Sequence, residues 1–284
     1  MTPPGPSAPF DWERLLDKLS QHYGTGDWRR PYLRDHAENP FQVLIGTILS
    51  QRTRDANTEI ASARLFARFP DARSLARARR SDVEPLIRAT GFYRVKARVV
   101  GAVAKEILTR FGGIVPRDFD ELVSLPGVGP KTANCVLVFG YGIPAIPVDT
   151  HVHRIANRLG IVRTRNPKET EARMREQVDP RFWIPVNPLL VQHGQNLCRP
   201  NGPRCPECPI ADQCATGIAL REGRDPPRPE DRPGRRASGA KGRAPARSRP
   251  SSRRGPPTPP RRRTSRRSRR RAATRRRPRP AGSS

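Results

Sequence analysis

The residues of this chain best suited to chemistry are a lysine, an aspartate and four clustered cysteines. Lys131 follows the turn Gly127-Val128-Gly129-Pro130, and Asp149 stands eighteen residues further on. The chain holds 49 Arg and only 6 Lys, so a bare positive charge at position 131 would more naturally be an arginine. A primary amine can do what a guanidinium cannot: lose its proton and attack a carbon to form a Schiff base. A phosphate-binding surface lysine is the plainer reading. Asp149 precedes Thr150-His151-Val152-His153-Arg154. Aspartate is a preferred N-cap, so its carboxylate reads equally as a helix cap and as an acid beside the amine. The roles are compatible, because a capping carboxylate is held in place. His151 and His153 lie two residues apart and share no helical face, so no joint metal site is expected of them.

Cys198, Cys205, Cys208 and Cys214 have the spacing C-x6-C-x2-C-x5-C and are interleaved with Pro200, Pro203, Pro206 and Pro209. That pattern describes a compact loop around a metal centre. Tetrahedral zinc and a four-iron cluster both remain open on spacing alone. Cys135 lies in an apolar run and reads as a packing residue.

These groups need rigid elements to position them. Leu122 to Val138 reads as helix, tight turn, helix. Pro126 ends the first helix, and Pro130 suits the first turn of the second. Gly127 and Gly129 are expected to allow positive φ and close approach of a ligand backbone. The free N–H groups of such a hairpin can hold a phosphate without reading base sequence.

Upstream, 10–23 has helical spacing, and Phe41 to Ser50 is apolar nearly all round, as in a helix buried within a bundle. Gln51, Arg52 and Thr53 follow it as a polar cluster, either a solvated turn or a loop that meets a ligand. Further helices are expected over 56–69, 74–78, 81–89, 95–111, 118–125, 151–159 and 168–178. Ser81-x-x-Glu84 reads as a capping box, and Gly91 and Gly112-Gly113 as helix stops. No strand pattern is found, so the fold class is all-α.

Composition bounds the rest. Residues 221–284 hold 24 Lys+Arg against 4 Asp+Glu and no aromatic residue. Such a tail cannot bury enough apolar surface to order itself, is expected to be disordered, and suits non-specific contact with nucleic acid. A merely solubilising appendage is the bland alternative. The preceding 220 residues are basic too, with 31 Lys+Arg against 22 Asp+Glu, which suits a polyanion. No apolar run of about 18 residues is present, so no membrane partner is expected. The first twelve residues do not have the form of a secretory signal, and clustered cysteines then point to metal in a reducing compartment rather than to disulfides.

The combination LPGVGPKTAN, VDTHVHR and LCRPNGPRCPECPIADQC resembles endonuclease III of the helix–hairpin–helix DNA glycosylase superfamily, over about residues 10–218. The resemblance implies two helical domains flanking a DNA cleft. A six-helix bundle carrying the hairpin would span 31–143. A cluster domain would span 144–220 and take in the N-terminal helix at 10–30, with the tail at 221–284 outside both. It implies a 4Fe-4S cluster on the four cysteines, which selects iron over zinc. It implies a monomer that acts on damaged or abasic double-stranded DNA, with Lys131 as nucleophile, Asp149 as its partner, and Gly127, Val128, Gly129, Gln51, Arg52, Thr53 and His151 at the DNA. The implied reaction removes an oxidised pyrimidine and cuts 3′ to the abasic site. The expected location is the prokaryotic cytoplasm at the nucleoid, or the nucleus in a eukaryote. One departure stands out: where the family carries a gap-filling glutamine, an ungapped match puts Arg52, with Gln51 one residue earlier. A mismatch- or adenine-type glycosylase is the near alternative, but such enzymes usually lack the lysine. A non-catalytic DNA-binding protein is the distant one, and it would need neither Lys131 nor Asp149.

Overall fold

The computed structural model describes residues 10–28 and 39–226. The tail expected to be disordered lies outside the described residues from 227 onward, as do positions 29–38 of the N-terminal region. Among the described residues there is no strand, and twelve α-helices make the fold. They are α1 (Trp12–Tyr23), α2 (Pro40–Ser50), α3 (Asp55–Arg68), α4 (Ala72–Arg77), α5 (Arg80–Leu86), α6 (Tyr93–Arg110), α7 (Phe119–Val123), α8 (Pro130–Cys135), α9 (Thr150–Leu159), α10 (Pro167–Gln177), α11 (Trp183–Asn196) and α12 (Ala215–Arg221).

Two apolar cores organise these helices. The first is built on α2, which starts at Pro40 behind an Asn39 cap and buries Phe41, Val43, Leu44, Ile45, Ile48 and Leu49. Leu65 of α3, Leu75 of α4, Val100, Val103 and Ile107 of α6, and Val136 and Val138 beyond α8 surround it. Each such side chain contributes about 1.5–3 kcal/mol when fully buried. In the second core, α1 places Leu15, Leu16 and Leu19 against Val152, Ile155, Val186 and Leu190 of α9 and α11. The chain passes from one core to the other between Ala145 and Ile146. Asp149, the candidate acid, therefore opens the second core, whereas Lys131 stands on a helix of the first.

The structure corrects several local expectations. The capping box is at Asp71 and Ser74, where Asp71 Oδ1 accepts from the Ser74 N–H at 2.7 Å and Ser74 Oγ from the Asp71 N–H at 3.3 Å. Ser81 lies inside α5, and its hydroxyl reaches Asp82 instead. Gly91 stops no helix, since α5 ends at Leu86. It is required for a different reason: a Cβ there would lie 2.9 Å from the carbonyl oxygen of Arg52. Gly112 and Gly113 do end α6, with φ of 63° and 94°. Two helices, α11 and α12, were not expected. Pro185 and Pro188 within α11 read locally as breaks, but burial of Val186, Leu189 and Leu190 holds that helix together.

Candidate active site

The hairpin is anchored from inside and open outside. Asp118 caps α7, its Oδ1 accepting from the Asp120 and Glu121 N–H groups at 2.9 and 3.0 Å. Leu125 and Val128 are buried and fasten the turn to the first core, while Pro126 and Gly127 are exposed. Gly127 has φ 72°, and a Cβ on it would lie 2.8 Å from Val99 Cγ1, so both conformation and space demand glycine. Gly129 departs from expectation: its φ is −103°, because it serves as the extended N-cap of α8. Nothing lies within 4 Å of a Cβ built on Gly129. The fold itself does not require glycine there, and the open space suits close approach of a ligand backbone. Lys131, half-buried, is the second residue of α8. A π-helical turn, Val136–Gly140, continues α8 into the first core.

Buried asparagines fix the segment that leads to Asp149. Asn134, one turn beyond Lys131, donates from Nδ2 to Ile146 O at 3.3 Å and to Glu171 Oε1 at 2.8 Å. Asn187 of α11 donates to Pro147 O at 2.7 Å. Asp149 then caps α9, its Oδ1 accepting from the His151 and Val152 N–H groups at 2.8 and 2.9 Å. Lys131 and Asp149 form no ion pair with each other. His151 Nδ1 meets Arg154 Nη2 at 3.1 Å, whereas His153 Nδ1 meets Thr170 Oγ1 at 2.7 Å, so the two histidines serve separate partners.

The polar turn after α2 reaches the hairpin. Gln51 Nε2 donates to Gly127 O at 3.4 Å, and Gln51 and Arg52 are both exposed. Arg52 has φ 53°, and its guanidinium lies 5.9 Å from the Phe92 ring centre. Thr53 Oγ1 accepts from the Gly91 N–H at 3.1 Å and from Lys96 Nζ at 2.7 Å.

All four clustered cysteines line one cavity, which lies against Ile155, Leu159, His193 and Ile210. Burial pushes the thiols of Cys205 and Cys214 up, and that of Cys208 to about 12. Any metal there must therefore displace protons. Four soft thiol donors lining one cavity suit a thiophilic metal centre, zinc or iron–sulfur. The loop is tied to α9 by two arginines. Arg154 donates to Cys198 O at 2.8 Å and Gly194 O at 3.1 Å, and Arg158 donates to Cys198 Sγ at 3.3 Å, Arg199 O at 2.7 Å and Pro200 O at 2.9 Å. The helix that Asp149 caps is thus also the support of the cysteine loop. Lys96, Asn134, Glu171, Arg154 and Arg158 escaped the sequence reading. A signal for Lys96 was available: it shares the core-facing spacing of Val100, Val103 and Ile107, where an ammonium is out of place.

Comparison with known proteins agrees with the helical fold. Residues 45–180 match the family of HhH-GPD superfamily base excision DNA repair proteins. Endonuclease III of Thermotoga maritima is 47% identical over 182 residues, covering 64% of this chain and 85% of that protein. Endonuclease III of Synechocystis is 37% identical over 183 residues, covering 64% and 84%. The solved structure of a trapped endonuclease III–DNA covalent intermediate superposes with a TM-score of 0.64 at 31% identity, over 74% of this chain and 98% of that one. A thermostable thymine-DNA glycosylase shares the fold, with a TM-score of 0.63 at 23% identity. This chain belongs to the HhH-GPD superfamily of base excision repair proteins, as a DNA glycosylase and abasic-site lyase of the endonuclease III type.

Proposed function

We propose that the chain removes oxidised pyrimidines from double-stranded DNA and then cuts the strand 3′ to the abasic site by β-elimination. The observation that carries this reading is a nucleophilic amine and a fixed carboxylate on adjoining elements: Lys131 in the first turn of α8, and Asp149 held by two backbone N–H groups at the start of α9. The target nucleotide leaves the base stack so that its sugar can reach the amine. The neutral amine of Lys131 attacks C1′ as the bond to the base breaks, and the base departs with the bonding electrons. Asp149 takes up the amine's proton and its charge stabilises the developing cation at the sugar. The sugar ring opens to an imine between Lys131 and C1′. Loss of a C2′ proton then expels the 3′ phosphate, which is the β-elimination.

The turn at Gly127, Val128 and Gly129 would hold the phosphate backbone, and His151 and Thr53 would flank the DNA. Gln51 or Arg52 would fill the space the flipped base leaves. The two apolar cores would act as two domains, 31–143 and 144–220 with 10–30, and the protein would work as a monomer. Cys198, Cys205, Cys208 and Cys214 would hold a 4Fe-4S cluster that fastens the loop and supplies no electrons to the reaction. The arginine-rich tail would add non-specific affinity for DNA. Among the described residues no helix is long and apolar enough to cross a membrane. We place the protein with the DNA, in the cytoplasm of a prokaryote or the nucleus of a eukaryote.

Borohydride reduction tests the chemistry. On duplex DNA carrying an oxidised pyrimidine, wild-type protein is expected to form a covalent adduct that Lys131→Gln abolishes. Intact binding without an adduct would overturn the lyase mechanism.

A further inference from the structure

Lys96, in the second turn of α6, is only 5% exposed, yet it is held by no carboxylate among the described residues. Its ammonium donates to Leu49 O at 2.6 Å, Gln51 O at 2.6 Å and Thr53 Oγ1 at 2.7 Å. An ammonium has three donors, and here each meets one neutral acceptor. Leu49 O belongs to the last turn of α2, where carbonyls lack helical partners and a cation is favourable. Burial draws the Lys96 pKa down to about 8, so holding the charged form there has a cost that the packing of the first core does not require.

What Lys96 holds is an unusual pair of turns. Among the described residues only two non-glycine residues adopt left-handed backbone, Arg52 at φ 53° and Phe92 at φ 57°. They sit in facing turns. Gly91 lies so close to the Arg52 carbonyl that a Cβ would approach it to 2.9 Å, and the Gly91 N–H binds Thr53 Oγ1. Strained backbone of this kind persists only where the surroundings fix it, and it gathers at functional sites. Thr53 Oγ1 is the shared joint, bound by Lys96 and by Gly91. The result presents exposed Gln51 and Arg52 beside the hairpin, with Gln51 Nε2 on Gly127 O.

We infer that Lys96 is a positioning residue for lesion recognition, locking the 51–53 turn in the left-handed form that delivers Gln51 and Arg52 to the DNA. This rests on the proposed entry of one of those side chains into the duplex. An apolar residue at 96 would serve the core as well but would leave the turn's acceptors without donors and Arg52 free to relax.

The test uses full-length protein and three probes: a duplex with a tetrahydrofuran abasic analogue, the undamaged duplex, and a single strand with a natural abasic site, which has no gap to fill. Lys96→Met is expected to lower the preference for the analogue over undamaged duplex about tenfold, the loss of roughly two hydrogen bonds' worth of preorganisation. Borohydride trapping on the single strand should stay close to wild type. In a Gln51→Ala/Arg52→Ala background, Lys96→Met should cost little more, because both changes act through one turn. Thr53→Val, which removes the joint while keeping volume, should shift the preference in the same direction and carries the test if Lys96→Met does not fold. Unchanged preference in Lys96→Met or Thr53→Val, additive effects, or an equal loss on the single strand would overturn the inference. If the Gln51→Ala/Arg52→Ala protein itself keeps full preference, the gap-filling reading fails and this inference with it. If that protein loses preference while Lys96→Met keeps it, the assignment of Lys96 alone fails.

Discussion

Asp149 carries two readings in the sequence, a helix cap and an acid, and the structure bears on the first. Its position before a helix marked it as a cap, and the structure has Oδ1 accepting from two N–H groups. That arrangement allows the structural and chemical roles to be separated. Asparagine caps a helix as well as aspartate does, and alanine does not. Asp149→Asn should therefore melt near wild type while single-turnover base excision falls by about 10²–10⁴-fold, the usual worth of a general acid–base group. Asp149→Ala should lose the chemistry and, in addition, about 1 kcal/mol of stability. Full excision by both variants would remove Asp149 from the mechanism. Lys131 stands out in the sequence for a different reason, since lysine is scarce in this arginine-rich chain. At Gly129 the expected positive φ gives way to the extended geometry of an N-cap, with open space around it.

At the scale of elements, α8 and α10 are joined by a pair that no local pattern announces. Glu171 of α10 is 7% exposed, and burial raises its pKa, against which the Asn134 hydrogen bond and the charges of Arg175 and Lys168 work. Asn134 Oδ1, beside it, is buried without a partner. With the folded pKa raised, the native state keeps a proton that the unfolded chain has lost. This contribution to stability is fully present below the ordinary glutamate pKa and is lost as pH rises through the folded value. Glu171→Gln does not titrate, and its amide can donate to Asn134 Oδ1. Its stability relative to wild type should therefore improve steadily from acid to neutral pH in thermal melts. Glu171→Leu leaves Asn134 Nδ2 with only the Ile146 carbonyl as acceptor and should cost about 1–3 kcal/mol. A pH-independent difference between Glu171→Gln and wild type would show that the carboxyl group does not titrate as its burial demands. Helix existence was readable wherever apolar spacing was strong, as in α1, α2, α6 and α9. It failed at α11, where Pro185 and Pro188 break the local pattern and only the burial of Val186, Leu189 and Leu190 restores it. Side chains that join helices far apart in sequence, such as Asn134 with Glu171, depend on which helices meet, and periodicity does not encode that.

At the scale of the whole molecule, the second core closes the chain on itself. Lys18 of α1 binds Asp212 at 2.7 Å, and Tyr23 OH meets His193 Nδ1 at 2.9 Å while His193 Nε2 reaches Cys208 Sγ at 3.5 Å. The N-terminal helix is thus secured to the cysteine loop, and the loop to α9 through Arg154 and Arg158. If the four cysteines hold a metal cluster, its binding energy is folding energy for this core and only indirectly for the first. The sequence supplies a selective probe. All three tryptophans, Trp12, Trp28 and Trp183, belong to or pack on the second core, while far-ultraviolet circular dichroism reports the helices of both. Removing the metal, or replacing Cys208 with alanine, should move the tryptophan-fluorescence melting transition to lower temperature and separate it from the later part of the circular-dichroism transition. Loss of coincidence between probes is the mark of two units unfolding apart. The metal-loaded protein should instead show the two probes melting together or the tryptophan transition later. Coincident and unshifted transitions after complete metal removal would mean that the cysteine loop does not hold the second core together, and that the arginine and histidine contacts suffice.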